Sequence, residues 1–403
     1  MLAVLLFHND IEWAHGGYLG VDVFFVLSGF LITSLLLAEV ERTGGLDLRR
    51  FWTRRVERLL PALLLLVAVA GALGPVLAPL ESLRDLRDDV LATLGQVVNW
   101  RLSDTIGHSL VGSVRSPFQH CWSLAIEMQF YVVWPLLVLL AVRLASPARR
   151  RAMVGVMAAV LAFASVLAMA ALVGPTWHTQ RVYYGTDTRA QALLIGAVLA
   201  AFIGRRMQDP SRPINPMARV GVSMAGTAAG IALLYAFVAA PNSGDTMYRG
   251  WYAVVAIAVA VVIAQVVVVP RAFVPSLLSS RPAVALGHVS YSLYLWHWPL
   301  LLVITEDRTG LTGISLFLAR MIASLAAACV SYFAIERRFM RARSTRRSDS
   351  ERALTVRVPR RAASTSAGNR GDGRLQRDKC RMSASPGGGP SVGTRPLKEM
   401  RSR

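Results

Sequence analysis

Long apolar stretches alternate with short polar ones along most of the chain, and this pattern predicts helices that cross a membrane. Nine stretches approach the roughly 20 residues that an α-helix needs to span the hydrocarbon core of a bilayer. They lie at about 20–38, 60–80, 122–142, 152–173, 190–204, 218–239, 251–269, 283–304 and 313–335. The opening residues, MLAVLLFH, look like the outer end of a tenth span, truncated at its N-terminus. We therefore expect an all-α polytopic membrane protein, a bundle of about ten transmembrane helices.

The composition supports this class and shows that most of the net positive charge lies in a C-terminal tail. Of the 403 residues, 54% are hydrophobic and 17% are charged, and the net charge is +20. Residues 341–403 alone carry 17 Lys and Arg against 5 Asp and Glu, and so polar a segment cannot bury enough apolar surface to fold. We expect a transmembrane domain over 1–343 and a disordered basic cytoplasmic tail over 344–403. A basic tail of this kind is attracted to anionic lipids. We expect no nucleic-acid partner.

Arginine and lysine are distributed unevenly between alternate loops, which predicts how the helices are threaded. Positive charge collects on the cytoplasmic side of a membrane. One set of loops carries 16 basic residues and consists of 39–59, 143–151, 205–219 and 270–282. The other set carries eight. We expect the first set and the C-terminus to be cytoplasmic, 81–121 to be external, and His8 to lie toward the outer face.

The segment SPFQHCWSLAIEMQFYVVWP at 116–135 brings polar residues into an apolar span. Ionisable groups in that setting are costly and usually mark a functional site. Ser123, Glu127 and Tyr131 follow each other at intervals of four, so a helix presents them on one face. The alternative is that Glu127 only makes an interhelical hydrogen bond.

A histidine and a carboxylate occur close together at the start of the chain. His8 precedes a glycine-rich turn, and Asp22 lies early in the next span. Imidazole titrates near neutral pH, and a carboxylate that binds it fixes its tautomer and raises its basicity. The pair therefore suits removal of a proton from a hydroxyl group. A histidine that is merely hydrogen-bonded near the interface is the alternative.

Three arginines stand before Pro61 on the predicted cytoplasmic side. Arg54 and Arg58 share one helical face, with Arg55 beside them. Guanidinium groups bind phosphates through two parallel hydrogen bonds, so a phosphate-bearing donor such as an acyl-CoA would suit them. The positive charge of a cytoplasmic loop in contact with lipid head groups explains them equally well.

Two further groups are candidates for lining a substrate cavity. Asp187 and Arg189 stand at the outer end of a short span, where they either grip a sugar or form a surface ion pair of little energetic value. Tyr294 and His297 share a helical arc deep in another span, where His297 either lines the substrate path or is a packing residue. The three cysteines are isolated in sequence, so we expect no metal site and no permanently bound cofactor.

In this order the segments resemble the membrane-bound acyltransferase 3 family, whose members O-acylate cell-envelope glycans and related acceptors. The resemblance runs from residue 1 to about Arg343. It is carried by GGYLGVDVFFVLSGFLIT, RRFWTRRVERLLP, SPFQHCWSLAIEMQFYVVWP, YYGTDTRAQALLIG, SYSLYLWHWP and SYFAIERRF. It implies a multi-pass protein of the bacterial plasma membrane that transfers an acyl group, by default acetyl from acetyl-CoA, to a glycan, lipid-linked sugar or small-molecule hydroxyl.

The resemblance also implies roles for individual residues. His8 matches the essential histidine of the family, and Arg55 and Arg58 match its cytoplasmic RxxR pair, to which Arg54 adds a third cation. Glu127 and Asp22 would position or charge His8. The cavity and acceptor site would be lined by Trp122, Ser123, Gln129, Tyr131, Asp187, Arg189, Tyr291, Tyr294 and His297.

The chain departs from the family pattern at two places. The family has a basic residue eleven positions before the histidine, which falls upstream of Met1, and Met128 stands where many relatives have a second carboxylate. Because of these departures, a catalytically inactive, glycan-binding member of the family is an alternative interpretation. A transporter or flippase is also an alternative, since polar residues inside a bundle mark transport pathways too. The sequence does not fix the oligomeric state.

Overall fold

The computed structural model describes residues 1–74, 83–104, 116–174, 179–209, 211, 213–240 and 245–339. Within these ranges the regular structure is helical and no β-strand occurs, so the all-α prediction is confirmed. The predicted tail at 344–403 lies outside the described residues.

The helices follow one another along the described part of the chain. In chain order they are α1 (Leu2–His8), α2 (Gly20–Thr43), α3 (Leu48–Ala72), α4 (Leu83–Leu94), α5 (Val98–Asp104), α6 (Trp122–Leu144), α7 (Arg150–Leu172), α8 (Thr179–Tyr184), α9 (Thr186–Gln208), α10 (Pro216–Ala239), α11 (Tyr252–Val268), α12 (Phe273–Leu278), α13 (Arg281–Val303), α14 (Glu306–Thr309) and α15 (Gly313–Ser331). Tight 3-10 turns at Glu12–Leu19 and Gln119–Cys121 lead into α2 and α6, and π-helical turns at Met247–Trp251 and Tyr332–Glu336 adjoin α11 and α15.

Seven helical stretches in the described part of the chain are long and apolar enough to cross a membrane. They are Glu12–Thr43, Gln119–Leu144, Arg150–Leu172, Gln180–Met207, Pro216–Ala239, Met247–Val268 and Gly313–Phe339. Each overlaps one predicted span, so a membrane protein is confirmed, whereas the count of about ten is not.

Two of the nine full-length predicted spans have no counterpart among these seven. The first half of α3 is rich in arginine, and the end of the predicted span at 60–80 lies outside the described residues. The predicted span at 283–304 coincides with α13, whose two histidines and several hydroxyl side chains lower its mean hydropathy. Both helices combine an apolar half with a polar one, and both contribute to the candidate site below.

Two glycines allow α2 and α9 to pack with their backbones in contact. A Cβ atom on Gly29 would lie 1.8 Å from the carbonyl oxygen of Leu193, and one on Gly196 would lie 2.1 Å from that of Val26. Any larger residue would push the helices apart. Small residues serve this purpose in membrane bundles because close backbone approach maximises van der Waals contact.

A proline inside α6 is matched by a donor from a neighbouring helix. Pro135 lacks an N–H group, so it cannot satisfy the carbonyl of Tyr131 one turn earlier. The indole Nε1 of Trp52, on α3, donates to that carbonyl at 2.9 Å. An unsatisfied carbonyl would be costly in lipid, so this bond stabilises the contact between α3 and α6.

Candidate active site

Three histidines from distant parts of the sequence form one cluster. His8 is the last residue of α1, His120 lies in the turn before α6, and His297 lies in α13. Nδ1 of His8 is 3.0 Å from Nε2 of His297, and the two rings stack with centroids 5.2 Å apart. The ring of His120 meets that of His297 edge-on at 5.5 Å. Neither this cluster nor any other group of His, Cys, Asp and Glu in the described chain has the arrangement of a metal site.

Hydrogen bonds determine which ring nitrogens carry protons in this cluster. Nδ1 of His297 is 2.6 Å from the carbonyl oxygen of Tyr294, and because a carbonyl can only accept, this nitrogen is the donor. A buried ring without a counter-charge is favoured in its neutral form, so Nε2 of His297 is an acceptor. His8 must then donate its Nδ1–H, so that in the neutral form of His8 the basic ring nitrogen is Nε2.

His120 is fixed by a second proline. Pro299 has no N–H group to offer the carbonyl of Leu295, and Nε2 of His120 lies 3.0 Å from that carbonyl oxygen. The proton of His120 is therefore on Nε2. Its Nδ1 is buried and has no hydrogen-bond partner among the residues that the structure describes.

A stripe of polar side chains runs along α6 away from the histidines. Ser123 Oγ is 2.6 Å from the hydroxyl of Tyr294, and the Ser28 hydroxyl donates to Glu127 at 2.6 Å. The Tyr131 hydroxyl donates to Ser28 at 3.2 Å. At about 1.5 Å of rise per residue, the stripe from Ser123 to Tyr131 covers about 12 Å. The predicted polar face of this helix is thus turned inward, against α2 and α13.

Arginines from α3 stand at the far end of this stripe. The guanidinium carbon of Arg55 lies 5.6 Å from the ring centre of Phe51 and 6.0 Å from that of Tyr131. The charges of Arg58 and Arg55 both act on the carboxylate of Glu127. Arg58 is exposed and has no hydrogen-bond or ion-pair partner within the described ranges.

A cavity of about 500 Å³ opens between the end of α2 and the beginning of α3. It is lined by Leu35, Ala38, Glu39, Glu41, Arg42, Arg50, Phe51, Arg54 and Arg55. Glu41 is already bound by Arg151 at 2.9 Å and by Arg205 at 2.8 Å. Because Arg151 and Arg205 already bind Glu41, Glu39 is the one lining carboxylate left to balance the four lining arginines. This excess of positive charge favours an anionic ligand such as a phosphate. The sequence prediction included Arg54 and missed Arg42 and Arg50.

Glu336 is a second buried carboxylate that the sequence prediction missed. It accepts a hydrogen bond from the hydroxyl of Ser292 in α13. The charge of Arg58 acts on it as well as on Glu127. The signal was available, since the segment SYFAIERRF places a carboxylate at the end of an apolar span.

Asp22 forms a fully buried ion pair with Arg189. The two side chains are each 1% exposed, and Nη2 of Arg189 lies 3.0 Å from Oδ2 of Asp22. Four aromatic rings surround the guanidinium at 4.2 to 5.8 Å, those of Tyr252, Tyr183, Trp122 and Phe25. The sequence argument paired Asp22 with His8, whereas the structure places it against this cation, because a buried guanidinium requires a counter-charge.

Gln129 was predicted to line the acceptor site, but its amide is fully engaged in the protein. Its Nε2 donates to the backbone oxygen of Gln96 and to Asn99 Oδ1, at 2.8 and 2.9 Å. Its Oε1 accepts from Thr186 at 2.6 Å and from Trp100 at 3.3 Å. An amide offers two donors and two acceptor positions, so no capacity is left for a substrate.

Two other predicted cavity residues also bind within the protein. Asp187 forms a bidentate ion pair with Arg181, at 2.8 and 2.9 Å, and is 44% exposed. The hydroxyl of Tyr291 donates to the backbone oxygen of Leu59 at 2.8 Å, which ties α13 to α3. Asp187 therefore pairs with Arg181, whereas the pair considered from the sequence was with Arg189, and Arg189 binds Asp22 instead. The bond from Tyr291 is a structural role that was not considered from the sequence.

The fold and the site define a polytopic membrane protein that holds a polar, histidine-containing centre inside its helical bundle. A family profile described as an acyltransferase domain matches residues 1–333. The chain belongs to this acyltransferase 3 family, so both the predicted family and, at the level of the family, the predicted enzyme class are confirmed.

Several curated relatives share this domain. The chain is 36% identical to YrhL of Bacillus subtilis over 310 residues, which is 76% of this chain and 47% of that one. It is 32% identical to the O-acetyltransferase OatA of Staphylococcus aureus over 338 residues, 83% and 55% of the two chains. It is 34% identical to the peptidoglycan O-acetyltransferase OatA of Listeria monocytogenes over 308 residues, 76% and 48%. The chain thus spans about half the length of these relatives. No solved structure matches it significantly.

Proposed function

We propose that the chain transfers an acetyl group from cytosolic acetyl-CoA to a hydroxyl of a cell-envelope glycan, with a peptidoglycan sugar as the first acceptor to test. The observation that carries this proposal is the buried polar stripe of α6, which runs from the histidine cluster at one end to the arginines of a cavity at the other. The names of two relatives, those from Bacillus subtilis and Listeria monocytogenes, include peptidoglycan and support the choice of acceptor.

The arginine-lined cavity suits the donor. Arg54 and Arg55 line it, and the exposed guanidinium of Arg58 stands nearby, so the phosphates of acetyl-CoA would find several cations at the predicted cytoplasmic side. The thioester arm would then extend along the stripe toward His8. Loop charges support this orientation, with the domain in the bacterial plasma membrane and its C-terminus in the cytoplasm.

In this proposal His8 acts as the general base. Its Nε2 would take the proton of the acceptor hydroxyl as that oxygen attacks the thioester carbonyl. The new C–O bond forms, the C–S bond breaks, and the departing CoA thiolate receives a proton, so the products are the O-acetyl ester and free CoA. A positioned base of this kind typically accelerates a reaction by about 10² to 10⁴-fold.

The test uses purified protein in nanodiscs with acetyl-CoA and soluble muropeptides. Released CoA thiol is measured together with the mass of the acceptor, which should gain one acetyl group. His8→Gln should lower turnover by about 100-fold or more. His15→Gln is the matched control, because His15 is exposed in the neighbouring turn, and it should turn over normally. Unchanged turnover in His8→Gln, or acetyl release without any acetylated acceptor, would contradict the proposal.

A further inference from the structure

His8 is oriented by another imidazole, although a carboxylate is the usual partner of a catalytic histidine. Three carboxylates inside the described part of the bundle have other partners: Asp22 binds Arg189, Glu127 accepts from Ser28, and Glu336 accepts from Ser292. The contact at Nδ1 of His8 is Nε2 of His297, at 3.0 Å.

His297 can hold His8 in one tautomer because it is itself held in one. Its Nδ1 donates to the Tyr294 carbonyl at 2.6 Å, so Nε2 faces His8 as an acceptor. Tyr294 is fixed in turn, since its hydroxyl donates to the backbone oxygen of His120 at 2.6 Å and lies 2.6 Å from Ser123 Oγ. Each member of this series is buried or half-buried, and each has its partner within hydrogen-bond distance.

A neutral acceptor suits this position in a membrane. A carboxylate beside His8 would have to be desolvated as a full charge, which is costly in an apolar bundle. An imidazole nitrogen still accepts the Nδ1–H bond, and it can share the positive charge that arises when His8 takes a proton at Nε2.

We propose that His297 is the positioning residue for His8, holding it in the tautomer whose Nε2 is basic. This inference rests on the proposed function, because it assigns a role to His297 in the reaction that His8 is proposed to perform. This role differs from the two alternatives that the sequence left open for His297, a residue that lines the substrate path and a packing residue.

The experiment compares three variants in nanodiscs. His297→Leu removes the acceptor at similar volume, His297→Gln restores an acceptor and a donor on one amide, and His288→Leu is the control, since His288 is exposed on the same helix. We expect His297→Leu to lower kcat by about 100-fold without raising KM for acetyl-CoA. We expect His297→Gln to recover most of that loss, and His288→Leu to behave as wild type.

A spectroscopic measurement separates positioning from folding. In protein labelled with ¹⁵N-histidine, the spectrum of His8→Gln identifies the His8 signals, and wild type should show an unprotonated Nε2 and a protonated Nδ1. His297→Leu should shift His8 toward the other tautomer.

The outcomes distinguish the two proposals. Full turnover in His8→Gln overturns the proposed function. Loss in His8→Gln combined with full turnover in His297→Leu, or with an unchanged His8 tautomer in that variant, overturns the role of His297 alone.

Discussion

The side chains of His8 and His297 meet although 289 positions separate them in the sequence. Each could be singled out from the sequence, because a histidine inside or beside an apolar span is costly and therefore noticeable. Their contact could not be predicted, since hydrophobic periodicity shows which face of a helix is buried but not which helix covers it. The same limit explains why Asp22 was assigned to His8, its neighbour in sequence, when its partner is Arg189 on a distant helix.

Two aspartate–arginine ion pairs have similar contact distances but differ in burial. They therefore test whether burial determines how much an ion pair contributes to stability. Asp22 and Asp187 each bind an arginine, at 3.0 and 2.8 Å, but their side chains are 1% and 44% exposed. Asp22→Ala leaves a buried guanidinium without its counter-charge, which should cost about 3–5 kcal/mol of stability. Asp187→Ala should cost about 1 kcal/mol or less.

Thermal unfolding of the detergent-purified variants measures this difference. Equal losses of stability in the two variants would mean that the pair of Asp22 and Arg189 is not desolvated as the structure shows.

At the scale of the element, α6 was the most predictable helix of the site. Residues three or four apart share a face, and Ser123, Glu127 and Tyr131 do turn toward α2 and α13. Gln129 was assigned to the same site, yet at about 100° per residue it lies about 160° around the helix from Glu127, and it joins α5 and α9 instead. Its misassignment was therefore avoidable from helical period alone.

Close packing of α2 against α9 predicts opposite outcomes for two helical glycines. A Cβ on Gly29 would lie 1.8 Å from a backbone oxygen, whereas one on Gly71 in α3 would have nothing within 4 Å. Gly29→Ala should lose about 1–3 kcal/mol because the helices must separate. Gly71→Ala should be neutral, or stabilising by up to about 1 kcal/mol, because alanine is the better helix former.

Melting temperatures of the two alanine variants in the same detergent provide the comparison. If Gly29→Ala melts with or above Gly71→Ala, then α2 and α9 do not approach each other as closely as described.

At the scale of the whole molecule, composition and periodicity predicted the class of protein and most of the membrane-spanning helices. The predicted number of about ten spans is not confirmed. Hydropathy identifies helices that face lipid. It underrates α3 and α13, which carry arginines and a histidine of the candidate site. The two helices that are not uniformly apolar, α3 and α13, are thus helices that contribute to the candidate site. Functional sites are where proteins are expected to depart from simple sequence rules.

We propose different tasks for the two ends of the buried stripe, with donor binding at the arginines and proton transfer at His8. This proposal predicts that the tasks separate on mutation. His8→Gln should bind acetyl-CoA with the affinity of wild type while losing turnover. Replacing Arg54 and Arg55 together by glutamine should weaken binding by at least about tenfold, because two charge-assisted phosphate contacts are lost.

Direct binding of radiolabelled acetyl-CoA to wild type and these two variants in nanodiscs is the decisive measurement. The account predicts an unchanged Kd for His8→Gln and a raised Kd for the double arginine variant. Weakened binding in His8→Gln together with wild-type binding in the arginine variant would contradict it.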